Sequence, residues 1–383
     1  MNKLMLTAAA TLLGTTSAFA VGLDRSAQDI SIIFEEGDYA ELSFGYVDPS
    51  LDGEDLAVFG GQSSGNVADS FVQGSLGYKQ QINDQLSFAI ILDQPYGADI
   101  DYPTGTLGGD GSLALGGTEA VLNSTALTAL MRYEFGNGFS VHGGVRGQEV
   151  NGRVRLEGAA YGALSGYEVE LDGDLEFGWQ AGFAYERPDI ALRVAVTYFS
   201  EIEFDFDSVE TLGGAPLGPA DTTETTTPQA VNLTFQTGVA PGTLVFGSIR
   251  WADYDDSTVS PPTFDLLVDP AISGSSLTSL ETGFSYTLGV GRQFTDRFSG
   301  LVELQFDEKG DDDLVSPLAP TNGSVGITIG GRYAVNENVT VTGGINYTKL
   351  GDAFAETGTP DTERAEFEDN DAIGVGIQVG YRF

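Results

Sequence analysis

The chain has no cysteine, one histidine and three methionines among 383 residues, and its 17 Lys and Arg face 56 Asp and Glu. Without cysteine there is no disulfide to staple a fold and no thiol for redox or covalent chemistry. The shortage of positive charge, a formal net of -39, sets nucleic acid aside as a partner, because a polyanion is repelled by such a surface. Past the first residues, no stretch approaches the roughly 20 apolar residues of a membrane-spanning helix. No motif supplies partners for a catalytic triad around the single histidine, His142, so an enzyme is not expected. The acidic run from Asp307 to Asp313 lacks the ligand spacing and closing Glu of a calcium loop, and it reads as a solvated loop. Neither a metal nor a cofactor is expected.

What is present is glycine, 52 residues of it, with 41% apolar content, a mix that favours strands and turns over helices. The N-terminus reads as a signal peptide over residues 1–20: a positive start at Lys3, an apolar core from Leu4 to Gly14, and Ser17-Ala18-Phe19-Ala20 as the cleavage sequence. Export without disulfides or spanning helices leaves a soluble secreted protein or a closed membrane barrel.

Alternation decides between them. In the closing stretch, Ile373, Val375, Ile377, Val379, Tyr381 and Phe383 share one parity, and Gly374, Gly376, Gln378, Gly380 and Arg382 the other. Alternate side chains of a strand point to opposite faces, so one face is wholly apolar and the other small or polar. The same pattern recurs from Tyr39 to the end and predicts fourteen strands. Their connections alternate between tight turns, such as Ile82-Asn83-Asp84 and Gly136-Asn137-Gly138, and long stretches such as Tyr96 to Ser124 and Asp255 to Ser279. Short turns on one rim, long loops on the other and an even count describe an all-β fold: a transmembrane antiparallel β-barrel of the outer membrane. The barrel takes residues 39–383, and residues 21–38 form a short N-terminal segment able to fold into the lumen. A soluble sandwich alternates too, but it does not sort its loops by rim. A monomer is expected.

The run DLEFGWQAGFAYERPDIALRVAVTYFSEIEFDF, Asp174 to Phe206, resembles the signature region of the FadL/TodX-type outer-membrane transporters (OMPP1) of long-chain fatty acids and other hydrophobic compounds. The matching pieces are Phe177-Gly178-Trp179, Gly182, Tyr185-Glu186, Thr197-Tyr198, Ser200-Glu201 and Asp205-Phe206. Asp93-Gln94-Pro95-Tyr96-Gly97, Gly152 to Glu157, and Thr227-Pro228-Gln229 followed by Trp251 lie in family order. The resemblance implies a fourteen-stranded barrel of a Gram-negative outer membrane. It also implies passive transport: a long-chain fatty acid or related hydrophobic ligand binds in the lumen and leaves sideways through the wall into outer-membrane lipid. The family's long N-terminal plug with its Asn-Pro-Ala triplet has no counterpart between Val21 and Asp38, which leaves room only for a reduced hatch.

The resemblance puts the lateral opening at a kink in the third strand, here Gln94, Pro95, Tyr96 and Gly97, where proline removes a ladder donor and glycine tolerates a bend. A fatty acid carboxylate needs a cation. In the fifth strand Val141 and Val145 lie on one parity and Val150, Val154 and Leu156 on the other, which predicts a bulge near Gln148 and Glu149. That slip turns Arg146, Arg153 and Arg155 to the lumen, joined by Arg193 of the seventh strand, as a carboxylate clamp. The same arginines also suit plain neutralisation by Glu149, Glu157, Glu186 or Glu201. Trp179 offers a surface for the ligand or belongs to the interfacial aromatic girdle. A general porin-like channel for small polar solutes is the alternative function, and a lipid hydrolase using His142 a more distant one. The clamp carries a direct expectation: replacing Arg153 and Arg155 by alanine weakens fatty-acid binding by about 1.5–3 kcal/mol.

Overall fold

The computed structural model describes residues 23–268, 275–278, 280–358 and 361–383; the signal peptide read over residues 1–20 lies outside the described residues. A strand with one apolar face cannot hide its backbone from hydrocarbon alone, so the segments pair all the way round. The fourteen barrel strands are β1 Tyr39–Ser50, β2 Phe71–Gln81, β3 Leu86–Asp93 with Gly97–Asp101, β4 Glu119–Glu134, β5 Phe139–Leu156, β6 Tyr167–Asp172 with Glu176–Arg187, and β7 Leu192–Phe199 with Ile202–Leu212. They continue as β8 Asp221–Thr227 with Gln229–Ala240, β9 Thr243–Asp253, β10 Gly283–Gln293, β11 Phe298–Asp307, β12 Ser324–Ala334, β13 Val339–Leu350 and β14 Asp371–Arg382. Every neighbouring pair is antiparallel, and β1 closes on β14 in unbroken register from Tyr39↔Arg382 to Ser50↔Asp371.

The tight turns work as their residues suggest. The Asn83 carboxamide accepts the N–H groups of Gln85 and Leu86, and that of Asn336 accepts those of Asn338 and Val339. Gly136 and Gly138 both take positive φ, 78° and 89°, which a side chain would oppose. Within the membrane band, Leu42, Phe44, Phe183, Ile329, Ile345 and Val379 stand exposed on the outer wall. Aromatics gather at its two rims, with Tyr133–Phe135, Phe139–Tyr185 and Tyr381–Phe383 on the short-turn side and Trp179–Tyr198 and Phe284–Tyr286 on the other.

Above the membrane the long connections are more ordered than their composition suggests. They form a cap with a five-stranded sheet, Asp52–Asp55, Ser63–Asn66, Leu314–Val315, Ala353–Thr357 and Thr362–Phe367, and a short helix, Pro262–Val268. Strands β5 to β8 rise into this cap, and there the pattern of the wall inverts. Val150, Val154, Leu156, Tyr167, Val169, Leu171, Phe204 and Phe206 point inward and are buried in the cap core, while Glu170, Asp172, Glu203, Asp205 and Asp207 point outward.

This inversion corrects the bulge expected in β5. The β4–β5 register runs without a slip from Glu119↔Arg155 to Glu134↔Ser140. Even-numbered residues therefore face inward along the whole strand, and Arg153 and Arg155 face outward. The change of apolar parity reflects a change of solvent: hydrocarbon meets the outer face below, whereas above it water meets the outer face and a packed loop core meets the inner one. Because the chain has no native cysteine, single substitutions test this cleanly. Arg153→Cys and Asp205→Cys are expected to react with a membrane-impermeant maleimide on intact cells, and Val154→Cys and Phe204→Cys only after unfolding. Labelling of the second pair as fast as the first would refute the inversion.

Candidate functional site

The N-terminal segment crosses the lumen. Ala27 and Gln28 both take left-handed backbone, φ 48° and 54°, which folds the segment into a compact turn. Asp24 meets Arg250 of β9 through two hydrogen bonds, 2.6 and 2.9 Å long, with both side chains buried. Arg250 also donates to Asn232, whose amide donates in turn to the Ala27 carbonyl. Ser26 donates to Asp93 at 2.5 Å on the other wall. Removing one partner of a buried pair such as Asp24–Arg250 costs about 3–5 kcal/mol, so the segment is firmly held.

The segment then makes a single turn, Ser31–Phe34, and buries Ile32, Ile33 and Phe34. The Phe34 ring has the guanidinium groups of Arg132 and Arg193 each 4.7 Å from its centre, a cation–π arrangement worth about 0.5–2 kcal/mol per contact. The chain leaves the lumen past Lys79, whose ammonium donates to the carbonyls of Glu35 and Gly37.

At Gln94 to Gly97 the wall itself is interrupted. The β2–β3 ladder ends at Leu76↔Leu92, leaving Phe71 to Ser75 without ladder partners on that side. On the β4 side the register moves from Asp93↔Ala126 to Gly97↔Asn123, so three residues, Gln94, Pro95 and Tyr96, oppose two. Side chains stand in for the missing ladder. Gln94 accepts from Gly74 N–H at 3.0 Å, Gln73 donates to the Gln94 carbonyl, and the Ser124 hydroxyl both accepts from and donates to the Tyr96 backbone.

The N-terminal segment supplies the rest. Arg25 N–H donates to the Pro95 carbonyl and Gly97 N–H to that of Leu23. The Arg25 guanidinium pairs with Asp99, lies 4.0 Å over the Phe71 ring and fills the space that a Cβ at Gly97 would need. A cavity of about 60 Å³ beside the break is lined by Ser26, Gln73 and Asp93 from within and by Phe44 and Leu76 of the lipid-facing parity.

The arginines singled out from the sequence separate into two groups. Arg153 pairs with Glu119, and Arg155 with Glu168 at 3.0 Å; both are outward and about 40% exposed, 41% and 36%. They are neutralised cap residues, a correction to the clamp. Arg146 is buried in the lumen, donates to Thr128, lies 5.7 Å over the Phe199 ring and has a buried Nη1 with no hydrogen-bond partner. Arg193 lines a lumenal cavity of about 140 Å³ with Phe34, Thr197, Asn232, Phe246 and Arg250, and has no ion-pair partner among the described residues. Trp179 is corrected as well: it faces outward, 53% exposed, and packs on Tyr198.

His142 is buried with Nε2 2.8 Å from the Thr197 hydroxyl and its ring against the edge of Phe34, so it packs the lumen beside the plug. Among the described residues no three acidic or imidazole side chains converge on a metal position. Sequence reading missed Asp24, Arg25, Phe34, Arg132 and Arg250. The inward parity of Arg132 and Arg250 was readable within β4 and β9; nothing local marks Asp24 or Arg25, whose partners lie far along the chain.

A model of the family described as outer membrane protein transport protein (OMPP1/FadL/TodX) matches residues 30–383. No curated protein matches the sequence. Among solved structures, a Pseudomonas aeruginosa FadL homologue is similar with a TM-score of 0.75 at 13% identity, with 98% of each chain covered. The Ralstonia pickettii toluene transporter TbuX gives a TM-score of 0.64 at 12% identity, covering 98% of this chain and 97% of that one. The P. putida toluene transporter TodX gives 0.62 at 13% identity over 91% of both. At such identities the structures show a shared fold, and the family match covers nearly the whole sequence. A closed barrel with a lipid-facing outer wall, plugged by its own N-terminal segment, thus belongs to the outer membrane protein transport family (OMPP1/FadL/TodX), as a multi-pass outer-membrane transport protein and not an enzyme.

Proposed function

We propose that the chain passes long-chain fatty acids or related hydrophobic molecules across the outer membrane passively, binding them in the lumen and releasing them sideways into lipid at Gln94, Pro95, Tyr96 and Gly97. The observation that carries this reading is the interrupted β2–β3 ladder, a stretch of wall held by side chains and by the N-terminal segment instead of continuous strand pairing. Withdrawing that segment removes the backbone partners of Pro95 and Gly97 and the side chain that fills the break. The free Nη1 of Arg146, whose Nη2 lies 4.0 Å from the Asp93 carboxylate, and the guanidinium of Arg193, set on the Phe34 ring at the edge of the lumenal cavity, support an acidic headgroup in the lumen. A general porin needs an open lumen, whereas here the segment is tied to β3 on one side and to β9 on the other. One copy encloses the whole route, so the monomer suffices.

With a fluorescent long-chain fatty acid as probe, Arg146→Ala is expected to weaken binding by about 1.5–3 kcal/mol, roughly 10- to 150-fold, and the Arg153→Ala/Arg155→Ala double change to leave it unaltered. The reverse pattern would move the headgroup to the cap. A Gly74→Cys/Gln94→Cys pair joined by a short bis-maleimide should stop fatty-acid uptake by cells while lumenal binding persists; undiminished uptake would eliminate this exit. In planar bilayers the wild type should conduct few ions, and removal of residues 23–34 should open steady channels. A large conductance in the intact protein would favour the porin.

A further inference from the structure

Arg146 already has a carboxylate beside it. Its Nη2 lies 4.0 Å from Asp93 Oδ2, with the two side chains 4% and 5% exposed, so the pair carries no net charge. Each partner nevertheless keeps an atom in reserve: Arg146 Nη1 and Asp93 Oδ1 are buried without a hydrogen-bond partner. The pair stands at the interrupted wall. Asp93 lines the cavity of about 60 Å³ beside the break, together with Asp29 and Glu41, and among the described residues no Lys, Arg or His lines it. The buried Gln73 Oε1 on the same lining has no donor either.

The other cations around this point are matched already. Arg25 pairs with Asp99, Arg132 with Glu186 and Arg250 with Asp24, while the Lys79 ammonium donates to backbone carbonyls. Arg193 lies on Phe34 and acts through space on Asp29, and Arg332 of β12 acts on Glu41. His142, on the strand of Arg146, is turned to Thr197, and the Tyr96 hydroxyl near Arg146 brings no positive charge. A fatty-acid carboxylate docked on Arg146 Nη1 therefore shares one guanidinium with Asp93, and Asp29 and Glu41 stand across the cavity. Two carboxylates on one buried cation repel each other, and a proton held between them relieves the repulsion. Release makes the same demand, because a charge entering hydrocarbon is costly and a neutral acid is not.

We propose that Asp93 makes fatty-acid binding at Arg146 take up one proton, and that the acid leaves through the break carrying it. The step balances: the anion and one proton from lumenal water enter, the neutral acid departs into lipid, and Asp93 remains as the carboxylate partner of Arg146. Asp93 is thus a specificity residue of the wall, since an acidic ligand needs its proton there and an ester needs none. The inference rests on the transport reading above and deepens it by naming the species released.

The test is isothermal titration calorimetry of the full mature chain in detergent, with dodecanoate as ligand at pH 7 in buffers of different ionisation heat. Close to one proton should be taken up per ligand bound, and affinity should fall by up to tenfold per pH unit between pH 7 and 8. Asp93→Asn should bring the uptake near zero, flatten the pH dependence and tighten dodecanoate binding at pH 8, where Arg146 then meets the ligand alone. Asp93→Glu should restore the proton uptake. In cells, Asp93→Asn should slow entry of dodecanoate at least threefold more than entry of its methyl ester. No proton uptake by the unaltered protein, uptake that persists in Asp93→Asn, or equal slowing of acid and ester would each overturn the proposal. The measurement on the unaltered protein needs no variant to fold. Dodecanoate binding indifferent to Arg146→Ala would instead remove the lumenal headgroup site itself, a separate failure read from affinity and not from protons.

Discussion

A backbone N–H or C=O left unpaired in hydrocarbon costs several kcal/mol, and nothing in the lipid can satisfy it. Closure of β1 on β14 answers that demand for most of the wall. It also makes any gap in a ladder an event that needs explaining. The one between β2 and β3 is managed with local means: the Gln94 carboxamide toward β2, the Ser124 hydroxyl toward β4, and the backbone of Leu23 and Arg25 from inside. Two of these are side chains and the third is the N-terminal segment, so the interruption in the wall coincides with the place where that segment contributes backbone partners.

The same segment explains how a short N-terminus can close a wide barrel. It does not fill the lumen by bulk. It spans it with a few strong contacts: Asp24 on Arg250, Ser26 on Asp93, Phe34 between two guanidinium groups, and the carbonyls of Glu35 and Gly37 on Lys79. Arg25, Lys79, Arg132, Arg146, Arg193 and Arg250 bring scarce positive charge to the plug and the lumen wall, whereas acidic side chains face outward on β6 and β7 above the membrane. On the proposed route, a molecule entering from outside meets an acidic exterior, then an apolar cap core, then a lumen that carries guanidinium groups.

Height along the barrel matters as much as position around it. Within the bilayer the wall is apolar outside and polar inside, and a few residues higher the arrangement is reversed. Strand β5 shows this without any bulge: His142 and Arg146 below, and Val154 and Leu156 above, all point inward. Strands β6 and β7 instead break near Gly173 to Leu175 and at Ser200-Glu201, where Trp179 N–H bonds the Ser200 hydroxyl and Ser200 N–H the Trp179 carbonyl.

The sequence by itself determined the barrel. Period-two alternation, terminal aromatics, and turns such as Ile82-Asn83-Asp84 are local properties, and in lipid they allow only a closed sheet, so strand number and rim assignment were legible. The stretch from Gln94 to Gly97 was marked by the resemblance to the family, with a proline and a glycine that act on their own backbone. Tertiary structure alone decided the pairing of Asp24 with Arg250 and of Arg25 with Asp99 across the fold, the five-stranded sheet of the cap, and the outward turn of Arg153 and Arg155. Parity tells which residues share a face, but not which solvent that face meets. Once the loops had built an apolar core above the membrane, inside and outside exchanged chemistry, and no local pattern in β5 recorded the exchange.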